Sequence, residues 1–327
     1  MARVIAFVSN RGGIGKSSLV SQVAPAFAAL NPTKHVILMD MSIQSDATVF
    51  TLGGVAEPTS NVPGIRTLGG EAASRLPSNV SVLGLVETAS ALNKRFAWLG
   101  GTKPLKWKPH AVQPLEAIPN FWLIPGGKQL FQVTFAELFP LLKKAFSNMD
   151  DCVVFVDTDA ELCERGASLA AIAASHELAL VLSASWTDYL RVIDDPANSL
   201  FRNLKDLGEK QCAPKISRVI FNNLQKRENR ACALLSVQGA LLFSPPSTTL
   251  QTVEEITSHL YSIADYKRFF LGEPATLAAF VETYVSAVST VPEGTWKKSW
   301  LQGSHICFMD DDPNAPQFRR LANDFSS

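Results

Sequence analysis

The segment Asn10-Arg11-Gly12-Gly13-Ile14-Gly15-Lys16-Ser17-Ser18 gathers glycines, cations and hydroxyls into one short stretch. It follows the apolar run Val4 to Val8 and opens the amphipathic run Leu19 to Leu30, so it reads as strand, glycine loop, helix. A loop of this kind turns successive backbone N–H groups, here those of Gly12, Gly13, Ile14, Gly15 and the residues after them, toward one point at a helix N-terminus. That arrangement suits a polyphosphate. Lys16 is expected to reach the terminal phosphates of a nucleotide such as ATP, and the Ser17 hydroxyl to hold Mg²⁺. The commoner phosphate-loop spacing wants a glycine five residues before Gly15, where Asn10 stands. A chance glycine-rich turn is the competing reading, and it leaves the agreement of strand, loop chemistry and helix unexplained.

A magnesium–nucleotide site also needs acids, because the ion keeps most of its waters and takes few direct protein ligands. Val36 to Met39 is a short apolar run ending at Asp40, and Asp150 to Val156 is another ending at Asp157. Both are expected to be buried parallel strands with a carboxylate at the C-terminal edge, where open α/β sheets bind ligands. A surface aspartate closing a strand is the ordinary alternative. It loses weight here because the glycine loop belongs to the same edge.

The elements that would carry these groups alternate along the chain. Phe121 to Ile124, Leu178 to Leu182 and Val219 to Phe221 read as further strands; Phe131 to Phe146, Glu161 to Ala174 and Thr187 to Leu207 read as helices. This rhythm predicts an α/β fold, a doubly wound, mostly parallel sheet with helices on both faces, in one domain over 1–327. Two irregular insertions interrupt it, at about 53–117 and 245–303, the second with a helix expected from Thr276 to Val288. The hydrophobic content of 46% can fill a large core. Thirty basic residues balance thirty acidic ones, so no global field draws the chain to nucleic acid or to an anionic membrane. The five cysteines include no C-x-x-C pair, which argues against zinc, iron–sulfur and disulfide frameworks, and Cys152 is expected in the core. No apolar run approaches the roughly 18 residues of a membrane span and no leader precedes the first strand, so a cytoplasmic protein is expected.

The paired glycines Gly12-Gly13, the cation Arg11 and the Gly-Lys-Ser ending resemble the deviant P-loop of the ParA/MinD family of ATPases. The stretch from Val36 through Asp40 to Gln44, Ala47 and Thr48 is similar to that family's first switch, Ile118 to Pro125 to its next strand, and Asp151 to Thr158 to its Walker B strand. Pro316 to Phe325 resembles its closing helix. The resemblance implies a P-loop NTPase fold, ATP and Mg²⁺ as ligands, and metal contacts from Ser17, Asp40 and Asp157. It also implies a homodimer closed by ATP, nonspecific DNA as a matrix, and a partner protein that stimulates hydrolysis. Asn222 or Asn223 falls where relatives place an asparagine against the adenine ring; by itself, an asparagine ending a strand is more often a turn residue.

Three departures bear on activity. The family's signature lysine, which touches the partner subunit's nucleotide, is Arg11 here, and a guanidinium can still neutralise phosphate. The second acid of the first switch is Ser42, a poor base, so hydrolysis is expected to be slow unless Asp46 or Asp159 substitutes. Asp159-Ala160 replaces the Pro-Pro that usually follows the Walker B acid. Local cations for DNA are Arg319 and Arg320, Lys297 and Lys298, and Lys103, Lys106 and Lys108 around Trp107. Phe318, Leu321 and Phe325 give the last helix one apolar stripe, expected to dock on the core rather than on a membrane. The leading expectation is a slow ATPase that positions or partitions DNA or other cargo; the alternative is a nucleotide-binding dimeric scaffold or regulator with little turnover.

Overall fold

The computed structural model describes residues 1–42, 44–53, 76–77, 79–88, 106–126, 133–160, 166–194, 199–209, 213–224, 248–292, 295–296, 299 and 305–326. Its strands are β1 (Arg3–Val8), β2 (His35–Asp40), β3 (Phe121–Ile124), β4 (Cys152–Asp157), β5 (Glu177–Leu182), β6 (Lys215–Leu224) and β7 (Val285–Ser289). They form one 7-stranded sheet in the order β3-β2-β4-β1-β5-β6-β7, and every pairing is parallel. The helices used below are α1 (Lys16–Leu30), α2 (Asp46–Gly53), α3 (Phe135–Ser147), α4 (Ala167–Ala174), α5 (Trp186–Asp194), α6 (Leu200–Glu209), α7 (Thr248–Ser262), α8 (Ala264–Lys267), α9 (Leu277–Tyr284) and α10 (Ala315–Asp324).

The apolar strands are buried on both faces, and their side chains divide between two cores with the period of 2 that a pleated strand imposes. Val4, Ala6 and Val8 of β1 join Val154, Val156, Leu178 and Leu180 against α3, α4, α5, α6 and α7. Ile5 and Phe7 join Val36, Leu38, Phe155 and Val181 against α1 and α10. Phe318, Leu321 and Phe325 of the closing helix lie in this second core, docked as expected. Cys152 is buried in β4.

Several element boundaries differ from the sequence reading for identifiable reasons. The helix expected from Phe131 starts at Phe135, because Thr134 caps it: its hydroxyl accepts from the Glu137 N–H and the Glu137 carboxylate accepts from the Thr134 N–H. The helix expected over Thr187 to Leu207 is two helices, α5 and α6, with Pro196 in the sequence between them. Proline has no N–H to give a helix interior, and it pushes the residue before it out of the helical region. The helix expected to run from Thr276 to Val288 stops at Tyr284, and Val285–Ser289 is a strand that pairs with β6, Val219 opposite Val285. β-branched residues beside an open sheet edge take the strand form. Residues 245–303, read as irregular, therefore supply β7 with α7, α8 and α9 in their described part, while most of 53–117 lies outside the described residues. No helix among the described residues is long and apolar enough to cross a membrane.

Candidate functional site

Strand order brings the chemistry together. β1 lies beside β4, and β4 beside β2, so the glycine loop after β1 and the acids ending β4 and β2 share one edge. Asp40 and Asp157 are paired in register across β2 and β4, and Phe7 of β1 stands opposite Asp157 on its other side. Above them opens a cavity of about 280 Å³ walled by the whole loop from Arg11 to Ser18, together with Ser42, Gln44, Asp46, Phe50 and Thr158 to Ala160. Gly13 and Gly15 sit at φ 78° and 81°, a region glycine enters without the cost a Cβ brings, which lets the loop turn into α1 at Lys16. Gly15 is bound tightly as well as turned: a Cβ there would stand 2.8 Å from the Asn222 amide nitrogen.

Lys16 is part of the cavity wall, and its ammonium is already engaged. Its ammonium donates to Asp157 Oδ1 at 2.8 Å and to the Thr158 carbonyl, both buried. The other Asp157 oxygen, Oδ2, is buried and has no hydrogen-bond partner. Asp40 is buried beside it and accepts from the Ser42 N–H at 2.9 Å on Oδ1 and from the Thr48 N–H and hydroxyl, each at 2.8 Å, on Oδ2. Burial, and then the neighbouring Asp157 carboxylate, raise Asp40 to about 7 against the pull of those donors.

This donor set suits a hydrated divalent cation. An orphaned buried oxygen on Asp157, a second carboxyl beside it and the Ser17 hydroxyl on the cavity wall are oxygen ligands of the kind Mg²⁺ takes while keeping waters. No group of three or more His, Cys, Asp or Glu residues poised to enclose a metal occurs among the described residues. Asp46 and Asp159 both face the cavity, and Ser42 is buried at its wall.

Arg11 is 49% exposed and bonds within its own chain: its guanidinium donates at 2.6 Å to Asp188 of α5, which is 3% exposed and also accepts from the Ser183 hydroxyl. The Asn10 amide donates to the Arg191 carbonyl at 2.8 Å, so the start of the loop is fastened to α5 twice. Neither Asp188 nor this tie stands out in the sequence, where α5 is an amphipathic run without a motif.

Asn222 and Asn223 both reach the loop, their amide nitrogens donating to the Ile14 carbonyl at 2.7 and 3.2 Å. They border a recess of about 110 Å³ next to the cavity, with Trp296, Val288 and Phe318 as its apolar wall. The recess has the two surfaces a nucleotide base needs, an apolar face and amide edges. Trp296 had no role in the sequence reading.

The candidate DNA contacts fare differently. Arg319 donates to the Cys307 carbonyl and to Asp310, each at 2.6 Å, and Arg320 to the Ala287 carbonyl at 3.2 Å. Lys108 lies over the rings of Trp107 and Trp122 at 5.7 and 5.4 Å. Lys103, Lys297 and Lys298 lie outside the described residues.

No family model matches the sequence, and no curated protein is similar to it in sequence. Solved structures are similar over nearly the whole chain. A putative plasmid partition protein of Borrelia burgdorferi bound to AMPPNP superposes with a TM-score of 0.56 at 14% identity, covering 100% of this chain and 99% of that one. The ATP complex of a McdA variant from Cyanothece gives 0.56 at 13% identity over 99% and 96%. MinD in the MinC:MinD complex of Aquifex aeolicus gives 0.55 at 16% identity over 99% and 96%. The chain has the ParA/MinD fold. In this chain the glycine loop follows β1, the central strand of the sheet.

Proposed function

We propose that the chain is an ATP-driven switch of the ParA/MinD kind: ATP and Mg²⁺ occupy the glycine-loop cavity, two copies close on the bound nucleotides, and slow hydrolysis reopens them. The observation that carries this reading is the pairing of Asp40 with Asp157 beneath a loop-walled cavity, with Lys16 as the cation between loop and acids. Incoming phosphates compete with Asp157 for the Lys16 ammonium, and the loop N–H groups orient them. Magnesium, when bound, supplies the charge that offsets both the phosphates and the two carboxylates. The base would enter the recess at Asn222 and Asn223, whose amide oxygens can accept from an amino group on the base.

Closure is a population shift: ATP drives it only by binding the dimer better than the monomer. Arg11 must leave Asp188 to reach a neighbouring copy's phosphates, so the monomer holds back its trans contact. Hydrolysis is slow because Ser42 offers no base, with Asp46 and Asp159 as the acids available at the cavity. In this reading the closed dimer, in the cytoplasm, holds nonspecific DNA or another matrix, and an activating partner protein sets its release, so that cargo is positioned.

Sedimentation velocity with and without ATP and Mg²⁺, on the wild type and Lys16→Ala, tests the core of this. Dimerisation by the wild type alone is expected. Calorimetry that detected no triphosphate uptake by the wild type would refute it. A second reading, a dimeric scaffold with little turnover, is favoured by Ser42; ATP-dependent dimers that release no phosphate with DNA present would select it.

A further inference from the structure

We propose that Thr48 and Gly126 form a rigid seat that aims the Asp40 carboxylate, which makes Thr48 a positioning residue for cation binding. The inference rests on the nucleotide–magnesium reading above and adds to it the groups that set the acid's orientation.

An ionised carboxylate has about four lone-pair sites. Three are filled at Asp40: one on Oδ1 by the Ser42 N–H, and two on Oδ2 by the Thr48 N–H and hydroxyl. The Thr48 hydroxyl has a single proton, and its oxygen already accepts from the Gly126 N–H at 3.1 Å. That contact leaves the proton to Asp40. The remaining lone pair belongs to Oδ1, so the seat determines which oxygen stays available to the water shell of a cation.

Gly126 supplies an independent observation. It follows β3, the strand beside β2, and a Cβ built on it would stand 2.7 Å from the Asp40 carbonyl oxygen, 3.1 Å from its carboxyl carbon and 3.2 Å from Oδ1. The first of these distances is too short for any real Cβ, and the last falls on the oxygen with the open lone pair. Glycine here lets the loop after β3 press on the acid from one side while α2 grips it from the other. The first switch and the loop after β3 therefore share one polar joint, and a displacement of α2 takes the Asp40 orientation with it.

The test separates positioning from phosphate binding. A non-hydrolysable ATP analogue is titrated into the wild type, Thr48→Val and Thr48→Ser by calorimetry, with and without Mg²⁺, and Mn²⁺ binding to the analogue complex is followed by electron paramagnetic resonance. Valine keeps the shape and the backbone N–H and removes only the hydroxyl. Its metal-free affinity for the analogue is expected to stay within about twofold of wild type, while Mn²⁺ affinity falls roughly 10- to 100-fold, the usual loss when an outer partner of a metal ligand is removed. Serine is expected to restore it, and Gly126→Ala to reproduce the valine loss. Mn²⁺ affinity in Thr48→Val equal to wild type would overturn the proposal, as would equal losses with and without metal. Failure of the wild type to bind the analogue at all would refute the nucleotide reading itself, a distinct outcome.

Discussion

The buried acid pair contributes a pH dependence of definite sign to the nucleotide-free protein. Asp40 rises from an ordinary 3.8 to about 7, through burial first and the Asp157 carboxylate second. Its folded value lies above its unfolded one, so its contribution to stability is complete below pH 3.8 and is lost as pH climbs through about 7. At about 1.4 kcal/mol for each unit, the whole span corresponds to roughly 4 kcal/mol; about two of those units lie between pH 5 and pH 7, or roughly 3 kcal/mol. In urea unfolding of the nucleotide-free protein at intervals from pH 5 to pH 8, the stability of the wild type relative to Asp40→Asn is therefore expected to fall by that order and flatten above 7, because the opposite rise from His305, which burial lowers to about 4, is common to both proteins. ATP with Mg²⁺ should abolish much of the fall, since a bound cation favours the ionised acid. Asp40→Asn should remove the downward contribution without nucleotide and leave the rise from His305. Its absolute stability carries a separate cost, because the amide would set an N–H₂ or a single oxygen against donors from Ser42 and Thr48, so the comparison lies in the slope. Equal slopes for wild type and Asp40→Asn between pH 5 and pH 7 would refute the reasoning, and would move the source of any pH dependence away from this pair.

Other expectations follow from single contacts. Asp188→Asn should loosen the cis hold on Arg11 and tighten ATP-dependent dimerisation by roughly fivefold, the scale of a half-exposed ion pair, measured by sedimentation equilibrium; unchanged dimerisation would count against a trans role for Arg11. Gly15→Ala combines a φ of 81° with a 2.8 Å approach to the Asn222 amide, so a loss of about 1–2 kcal/mol from the backbone alone is expected, with weakened triphosphate uptake in calorimetry. Wild-type melting and affinity in that variant would contradict the tight loop packing. Ser42→Asp should raise phosphate release by up to ~10²-fold if the missing base limits turnover, and should lower nucleotide-free stability, since it places another carboxyl at a buried position near Asp40; a faster enzyme with unaltered melting would fit neither half of the account.

The glycine loop and both strand-ending acids were legible in the sequence because each is local: a run of apolar residues, a change of period, a charged residue where the run stops. The same locality misled at Val285–Ser289. The stretch from Thr276 onward has helical composition, and only the open edge of β6 makes its second half a strand. Pro196 was a readable break that the apolar spacing of Thr187 to Leu207 concealed. Asp188 and Gly126 carried no usable signal. An aspartate in the first turn of a helix is an ordinary stabiliser of its N-terminus, and a glycine after Pro125 is an ordinary turn. Their meaning comes from what lies across from them, the Arg11 guanidinium and the Asp40 carboxyl.

The property that decides the chemistry of the site belongs to that second kind. A carboxylate at the end of an isolated strand is solvated and ordinary; Asp40 departs from this first because the fold buries it and second because the register of β2 with β4 sets it level with Asp157. A slip of one residue in that ladder would turn alternate side chains to the opposite face and separate the pair. The register is held by the apolar alternation, with Ile37, Met39, Val154 and Val156 in one core and Val36, Leu38, Val153 and Phe155 in the other. Core packing away from the cavity therefore contributes to the raised pKa of Asp40. Shortening Phe155, which packs on Phe7, Phe27 and Phe325, should soften the pairing of Asp40 with Asp157 and act on the cation site without touching it.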